Sequence, residues 1–366
     1  MRILVTGSEG FIGKNLVSEL NNRGIYEVYT ISKNYTEEQL DEYCQKAEFV
    51  FHLAGVNRSN KEEDFENTNV NLTEKILQKL DDFNNNCTIM YASSIQVELD
   101  NAYGKSKLKA EKLLLGSIKK ATRQVQIYRL PNVFGKWCKP NYNSVIATFC
   151  YNISRDIPIK INDENTQLKL VYIDDLVKTL INNINKITES TIELNNYYLK
   201  NLKTINELLT KFKESRDNKF IINVNDSFEK KLYSTYLSYL PTNQFSYPLK
   251  MNIDQRGSFT EVLKTPDRGQ VSINISKPGI VKGNHWHHTK NEKFLVVSGN
   301  GVIRFREYHS ENVIEYFVSD EKLEVVDIPI GYTHSIENLG EANMVTMMWV
   351  NEIFDEDNPD TFFMEV

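Results

Sequence analysis

Tyr103 and Lys107 stand four residues apart in Y-G-K-S-K, a spacing that sets both side chains on one face of a helix and lets the lysine lie under the phenol. An ammonium in that position stabilises a phenolate and equips the tyrosine to give a proton to a carbonyl oxygen that receives hydride. The serine needed to hold that oxygen is offered by Ser93-Ser94, at the end of the β-rich run 88–92. Further forward, Gly7, Gly10 and Gly13 stand in V-T-G-S-E-G-F-I-G, after the first apolar run and at the opening of a helical pattern. Gly7 permits the tight turn, Gly10 lets the backbone approach a pyrophosphate, and Gly13 lets helix and strand pack closely. The chain therefore binds a dinucleotide, with its pyrophosphate at a helix N-terminus. Where an acid would hold the ribose hydroxyl of NAD, the chain reads I-S-K-N. Ser32 beside Lys33 favours a 2′-phosphate and hence NADPH, with Arg58 a further group able to reach it.

A second constellation lies near the other end: His285-x-His287 followed by Glu292 and Gly299, then Pro329-x-Gly331-x-x-His334-x-x-x-Asn338. On a strand, His285 and His287 point to one face. With Glu292 on a neighbouring strand and His334 on a later one, three imidazoles and a carboxylate close a metal site. Such ligands suit Zn, Fe, Mn or Ni. His288 faces opposite to His287, and a bulge would exchange the two. His52 and His309 have no such company and read as structural or surface residues.

These groups need elements to position them, and 366 residues exceed one hydrophobic core, so two domains follow. Residues 1 to about 190 alternate β-rich runs (3–6, 28–31, 49–53, 88–92) with helical patterns, which is the signature of an α/β Rossmann-type doubly wound parallel sheet. From about 195 to 240 the pattern is helical, with Thr204-Ile205-Asn206-Glu207 read as a capping box and Asp226 to Glu229 opening a further helix that Pro241 ends. Beyond Tyr247-Pro248 come short apolar runs broken by glycine, at 270–275, 293–297, 302–305, 315–318, 323–328 and 344–350, implying an all-β barrel or sandwich. The boundary falls between 241 and 248, giving domains 1–243 and 244–366. The polar patch Asn84 to Asn86 reads as a loop.

Composition narrows the partners. A net charge of −6 leaves no basic footprint for nucleic acid. No signal-peptide pattern precedes Arg2-Ile3-Leu4-Val5, and no run approaches the ~20 apolar residues of a membrane span, so the chain reads as cytoplasmic. Cys44, Cys87, Cys138 and Cys150 lack C-x-x-C spacing and read as reduced, mostly buried thiols.

The first two-thirds resembles the extended short-chain dehydrogenase/reductase family, sugar-nucleotide branch. The matching stretches are T-G-S-E-G-F-I-G at 6–13, H-L-A-G at 52–55, N-V-N-L-T at 69–73, A-S-S at 92–94, Y-G-K-S-K at 103–107, R-L-P-N-V-F-G at 129–135 and V-Y-I-D-D at 171–175. The resemblance implies Ser94, Tyr103 and Lys107 as catalytic, with the choice between Ser93 and Ser94 open because the segment up to Tyr103 is short for this branch. It also implies Phe11, Ile12, Leu53 and Ala54 beside the cofactor, and Arg129 and Asn132 on the substrate. The last third is similar to the metal-binding cupin barrel, although Leu323 stands where the second cupin motif opens with glycine.

Over its full length the chain resembles a family of bifunctional capsular polysaccharide enzymes that join these two domains. The stretches that carry this are 136–150, 232–241, 256–261, 265–271 and N-H-W-H-H-T-K-N-E-K-F at 284–294. It implies a homodimer in which the cupin epimerises C3 of a UDP-2-acetamido-2,6-dideoxy-4-hexulose and the reductase then delivers hydride from NADPH to C4. Zn²⁺ fits that chemistry, since a Lewis acid on the C4 carbonyl makes the C3 proton acidic. His287 or His288 (whichever is off the metal), Lys293 and Tyr332 are the candidate bases. The competing readings are an iron-dependent cupin oxygenase fused to the reductase and a cupin that only binds a regulatory ligand.

Overall fold

The structure is a computed structural model and describes residues 1–121, 123–186 and 190–366. The chain divides into two compact units, one formed by Met1–Lys211 with Val224–Thr242 and the other by Phe212–Asn223 with Asn243–Val366. Residues 212–223 join the second unit although they precede the 241–248 boundary. Backbone bonds explain this: Ile221 N–H donates to Lys264 O and Lys264 N–H to Lys219 O, both at 2.9 Å.

In the first unit six parallel strands lie in the order Glu27–Ile31, Arg2–Thr6, Phe49–His52, Thr88–Ser94, Val125–Leu130 and Thr191–Glu193. The inner strands are apolar on both faces because helices cover both. Ile3, Val5, Phe49, Phe51 and Met90 pack on one side with Leu176, Val177 and Leu180. Leu4, Val50, Ile89 and Tyr91 pack on the other with Leu77, Leu80, Ala110 and Leu114. The chain steps outward from Arg2–Thr6 to Glu27–Ile31 and then back across to Phe49–His52, so strand order reverses at the first strand. The crevice beyond the carboxyl ends of the strands at that reversal is where doubly wound sheets bind ligands.

One helix start differs from the sequence expectation. The helix Leu202–Asn218 opens two residues before Thr204, and the Asn201 side chain accepts the Thr204 N–H at 2.8 Å. Asn201 thus does the capping that T-I-N-E was expected to do, because a short amide just ahead of the turn reaches the same orphan donor. Asp226 caps Ser227–Leu237 through the Glu229 N–H, as read.

Apart from the helical residues 212–218 and a short helical turn at Thr242–Gln244, the second unit is built of β-strands. Six antiparallel strands run in the order Met251–Asp254, Gly257–Thr265, Gly269–Ser276, Met344–Val350, Glu292–Ser298 and Val326–Ile328. Five more run Val313–Ser319, Asn300–Glu307, Tyr332–Asn338, Val281–Trp286 and Phe362–Phe363. Phe294, Val296 and Met344 of the first sheet meet Ile303, Phe305 and Ile336 of the second in one core. All four cysteines are free. No helix among the described residues is long and apolar enough to cross a membrane.

Candidate active site and metal centre

The glycine turn is fixed by close approach. Gly7 has φ +69, its N–H donates to Ile31 O at 2.8 Å, and a Cβ there would stand 2.7 Å from the Ala54 backbone. A Cβ on Gly13 would lie 2.1 Å from Gly7 O, so only glycine lets the helix Phe11–Arg23 start this near the turn. Gly10 caps that helix with no side-chain hydrogen bond, and its first turn carries no acid. Its leading amides are therefore left for an anionic ligand. Ser32 and Lys33 directly follow Ile31, whose carbonyl ties down the turn.

Gly10, Phe11, Ile12, Leu53, Ser94, Tyr103, Lys107 and Asn132 line one cavity of about 830 Å³. Ser94 Oγ accepts the Gln96 N–H at 3.2 Å and lines the cavity with Tyr103. Ser93 instead donates to the buried Glu111 at 2.6 Å. The Lys107 Nζ donates to Ala92 O at 2.8 Å and sits 4.5 Å from the centre of the Tyr91 ring. Gly55 makes room for it, since a Cβ there would be 3.0 Å from that nitrogen. Burial pushes Lys107 down to about 7, with Glu111 opposing. Burial pushes the Tyr103 phenol up and the Ser94 hydrogen bond pulls it down. Burial is the larger effect, so the phenol lies above its ordinary value.

Arg129 does not reach this cavity. Its Nε and Nη2 grip the two Glu111 carboxylate oxygens at 3.1 and 2.8 Å, and the same carboxylate takes the Ser93 hydroxyl. A buried acid on the helix Ala102–Ala121 demands a partner, and the nearest arginine supplies it. His52 is likewise structural: it is buried between Thr6 Oγ1 at 2.7 Å and Thr73 Oγ1 at 2.8 Å, and burial lowers it to about 3.

In the second unit one ligand atom from each of His285, His287, Glu292 and His334 falls within a 4.8 Å group. His285 and His334 are paired residues on the antiparallel strands Val281–Trp286 and Tyr332–Asn338. Glu292 was expected on a strand adjacent to His285, yet it opens a strand of the other sheet, so the cluster ties the two sheets together. The Glu292 Oε2 lies 3.6 Å from His287 Nε2 and 3.3 Å from His334 Nε2. These three atoms and His334 Nδ1 are buried without hydrogen-bond partners. Glu292 Oε2, His287 Nε2 and one nitrogen of His334, buried side by side without partners, are costly unless a cation takes their lone pairs. Burial lowers His285 to about 4; Glu292, though burial raises it, is held at about 2 by the two imidazoles. A neutral imidazole and an ionised carboxylate are what a divalent metal requires, and the donor set fits Zn²⁺.

A cavity of about 620 Å³ opens onto His285, Glu292 and His334. Three of the expected bases do not line it. His288 is exposed and packs on Trp286 and Phe362, with ring centres 4.6 and 4.8 Å away. Lys293 pairs with Asp327 on the outer face, because the residue after an inward Glu292 points outward on a strand. Tyr332 packs against the apolar core. His287 is in the cluster. The sequence reading passed over Lys282, which lines the cavity and donates to Asn274 Oδ1 at 2.7 Å and Ile275 O at 2.8 Å.

Residues 3–193 match the NAD dependent epimerase/dehydratase family, and 252–362 match the polysaccharide biosynthesis C-terminal domain. A relative from Pseudomonas aeruginosa, UDP-2-acetamido-2,6-beta-L-arabino-hexul-4-ose reductase, is 42% identical over 368 aligned positions, covering 100% of this chain and 99% of that one. The solved structure of the capsular polysaccharide assembling protein CapF from Staphylococcus aureus is 54% identical, with both chains fully covered and a TM-score of 0.93. UDP-glucuronic acid 4-epimerase from Bacillus cereus, solved with NAD, is 17% identical at a TM-score of 0.56 over 65% of this chain and 96% of its own. That last likeness is one of fold alone. The chain belongs to the NAD dependent epimerase/dehydratase family and, along its whole length, to the family of CapF.

Proposed function

We propose that the chain is a bifunctional sugar-nucleotide enzyme. Its C-terminal unit, a cupin holding Zn²⁺, epimerises C3 of a UDP-2-acetamido-2,6-dideoxy-4-hexulose. Its N-terminal unit then reduces C4 with NADPH, yielding UDP-N-acetyl-6-deoxy-L-talosamine for UDP-N-acetyl-L-fucosamine and capsular polysaccharide synthesis. The observation that carries this reading is the pairing of two complete sets of groups, Ser94–Tyr103–Lys107 and His285–His287–Glu292–His334, in a chain that aligns end to end with a UDP-4-keto-sugar reductase.

In the N-terminal cavity the nicotinamide, when bound, supplies the hydride. Ser94 holds the C4 oxygen, and Tyr103 Oη gives that oxygen its proton. Lys107 favours the resulting phenolate when its amine is charged. The amides ahead of Phe11 take the cofactor pyrophosphate, Ser32 and Lys33 take the 2′-phosphate, and Asn132 takes the substrate diphosphate.

In the C-terminal cavity a bound Zn²⁺ acts as a Lewis acid towards the C4 carbonyl. The four ligand side chains hold it, and His285 and Glu292 bring the neutral and ionised forms that ligation requires. Epimerisation precedes reduction, because once C4 is an alcohol the C3 proton is no longer acidic. The reading places a homodimer in the cytoplasm. The outer strand Val313–Ser319 exposes Val313, Ile314, Tyr316 and Phe317, a surface suited to a second copy.

The test is to give the purified protein a UDP-4-keto-6-deoxy-N-acetylhexosamine in D₂O and follow deuterium by NMR. Deuterium should enter at C3 without NADPH, and C4 should be reduced only when NADPH is added. Absence of C3 exchange in the zinc-loaded protein overturns the epimerase half; turnover only with oxygen indicates an oxygenase instead.

A further inference from the structure

Resting on the epimerase reading, the geometry points to Lys282 as the base that removes the C3 proton in the C-terminal cavity. Sixteen residues line that cavity, and the ionisable ones fall into three groups. His285, Glu292 and His334 belong to the metal cluster. Asp254 and Arg256 are committed to each other, with Arg256 Nη2 and Nε at 2.7 and 2.9 Å from Asp254 Oδ2. Lys282 belongs to neither group. Its nitrogen is oriented by two neutral acceptors, Asn274 Oδ1 and Ile275 O, rather than by a carboxylate.

Backbone register puts this lysine beside the cluster. Lys282 pairs with Ile336 and Gly283 with Ser335, but His285 pairs with His334, so one residue, Asn284, is bulged out of the ladder with φ +58. Ile336 and His334 are two apart on a regular strand and share a face. Their partners Lys282 and His285 therefore share a face as well, although they are three positions apart. Without the bulge they would point to opposite sides.

Burial lowers the pKa of Lys282, with the nearby Asp254 opposing and Arg256 assisting. That shift is towards the free amine, the form that accepts a proton. In the step, the neutral Nζ takes the C3 proton. The C–H electron pair becomes the C3–C4 double bond, and the carbonyl π pair moves to the C4 oxygen. A solvent-derived proton then adds to C3 on the opposite face as the C4 carbonyl re-forms, and Lys282 returns its proton to solvent.

The test uses the full-length, zinc-loaded enzyme without NADPH, following C3 deuterium exchange of the same 4-keto sugar in D₂O. Lys282→Met should cut exchange by ~100-fold or more while zinc stoichiometry stays at the wild-type value. In Lys282→Ala, added small alkylamines should restore exchange, with rates that rise with amine basicity. A zinc-bound Lys282→Met protein that exchanges at the wild-type rate overturns the assignment. Should zinc be lost, the Lys282→Ala protein reloaded with excess metal decides the matter: amine rescue supports the base and its absence overturns it. Failure of the wild-type protein to exchange C3 would instead remove the epimerase reading, a distinct outcome.

Discussion

The Nδ1–H of His287 donates to the backbone carbonyl of Asp360, 2.6 Å away and 73 residues further along the chain. That bond fixes the tautomer and leaves Nε2 to face the cluster. The Asp360 carboxylate meanwhile accepts the N–H groups of His288, Thr289 and Lys290 at 3.0, 2.8 and 2.8 Å. Burial pushes this carboxyl up, but those backbone donors hold it well below the ordinary range. His287 lies just past the end of its strand, so this C-terminal segment aims it.

Asp360→Ala keeps that backbone carbonyl but removes the carboxylate that pins the segment presenting it, so zinc binding should weaken by roughly 10-fold, the low end of the effect of disturbing an orienting partner. Competition against a chromogenic chelator measures it. Asp360→Asn keeps acceptor oxygen and should lose less. Equal zinc affinity in all three proteins would show that the Asp360 carboxylate does not set the position of that carbonyl.

The two adjacent serines have divided roles. Ser94 lines the cavity with Tyr103, while Ser93 is tied to Glu111 and through it to Arg129. Ser94→Ala should lower kcat for reduction by about 10²–10³-fold with a small change in KM, as for loss of one donor to a developing oxyanion. Ser93→Ala and Arg129→Ala leave a buried Glu111 short of partners, and should lower thermal stability while KM for the sugar nucleotide stays near the wild-type value. A KM rise confined to Arg129→Ala would return that residue to the substrate.

Much of this was legible in the sequence, for reasons visible in individual residues. The parallel sheet announces itself because its inner strands are buried on both faces, so I-L-V at 3–5 and F-V-F at 49–51 are unbroken apolar runs. The cluster announces itself by ligand type. What sequence spacing conceals is whatever depends on register or on distant chain. Alternation assigns Lys282 and His285 to opposite faces, and only the bulge at Asn284 reverses that. Lys293 looked available because it neighbours Glu292, yet the same alternation turns it outward. Arg129 sits in a substrate-like motif, and its commitment to Glu111 is a tertiary pairing with no local signature.

The proposed preference for NADPH rests on the end of the strand Glu27–Ile31, where Ser32 and Lys33 follow the carbonyl that anchors the glycine turn. Lys33→Asp should shift preference from NADPH towards NADH. A hydrogen bond to a charged group contributes about 1.5–3 kcal/mol, so the ratio of kcat/KM for the two cofactors should move by roughly 10- to 100-fold. An unchanged ratio would transfer the 2′-phosphate to another residue, with Arg58 the one to substitute next.

Lys107 links catalysis to stability. Its pKa falls from the ordinary 10.5 to about 7 because burial penalises the ammonium. In the unfolded chain the amine stays protonated up to its ordinary value, so between pH 7 and 10.5 the unfolded state binds more protons. Stability from this group therefore rises with pH across that window, and the cost of the buried charge is complete below pH 7. Lys107→Met should abolish reduction yet stabilise the cofactor-free N-terminal unit at pH 6 by about 1–3 kcal/mol. The gain should shrink as pH approaches 10. Hydrogen exchange of the strand Thr88–Ser94 reports that unit alone. A variant less stable than the wild type at pH 6 would mean that the bond from Lys107 to Ala92 O outweighs the desolvation of the charge.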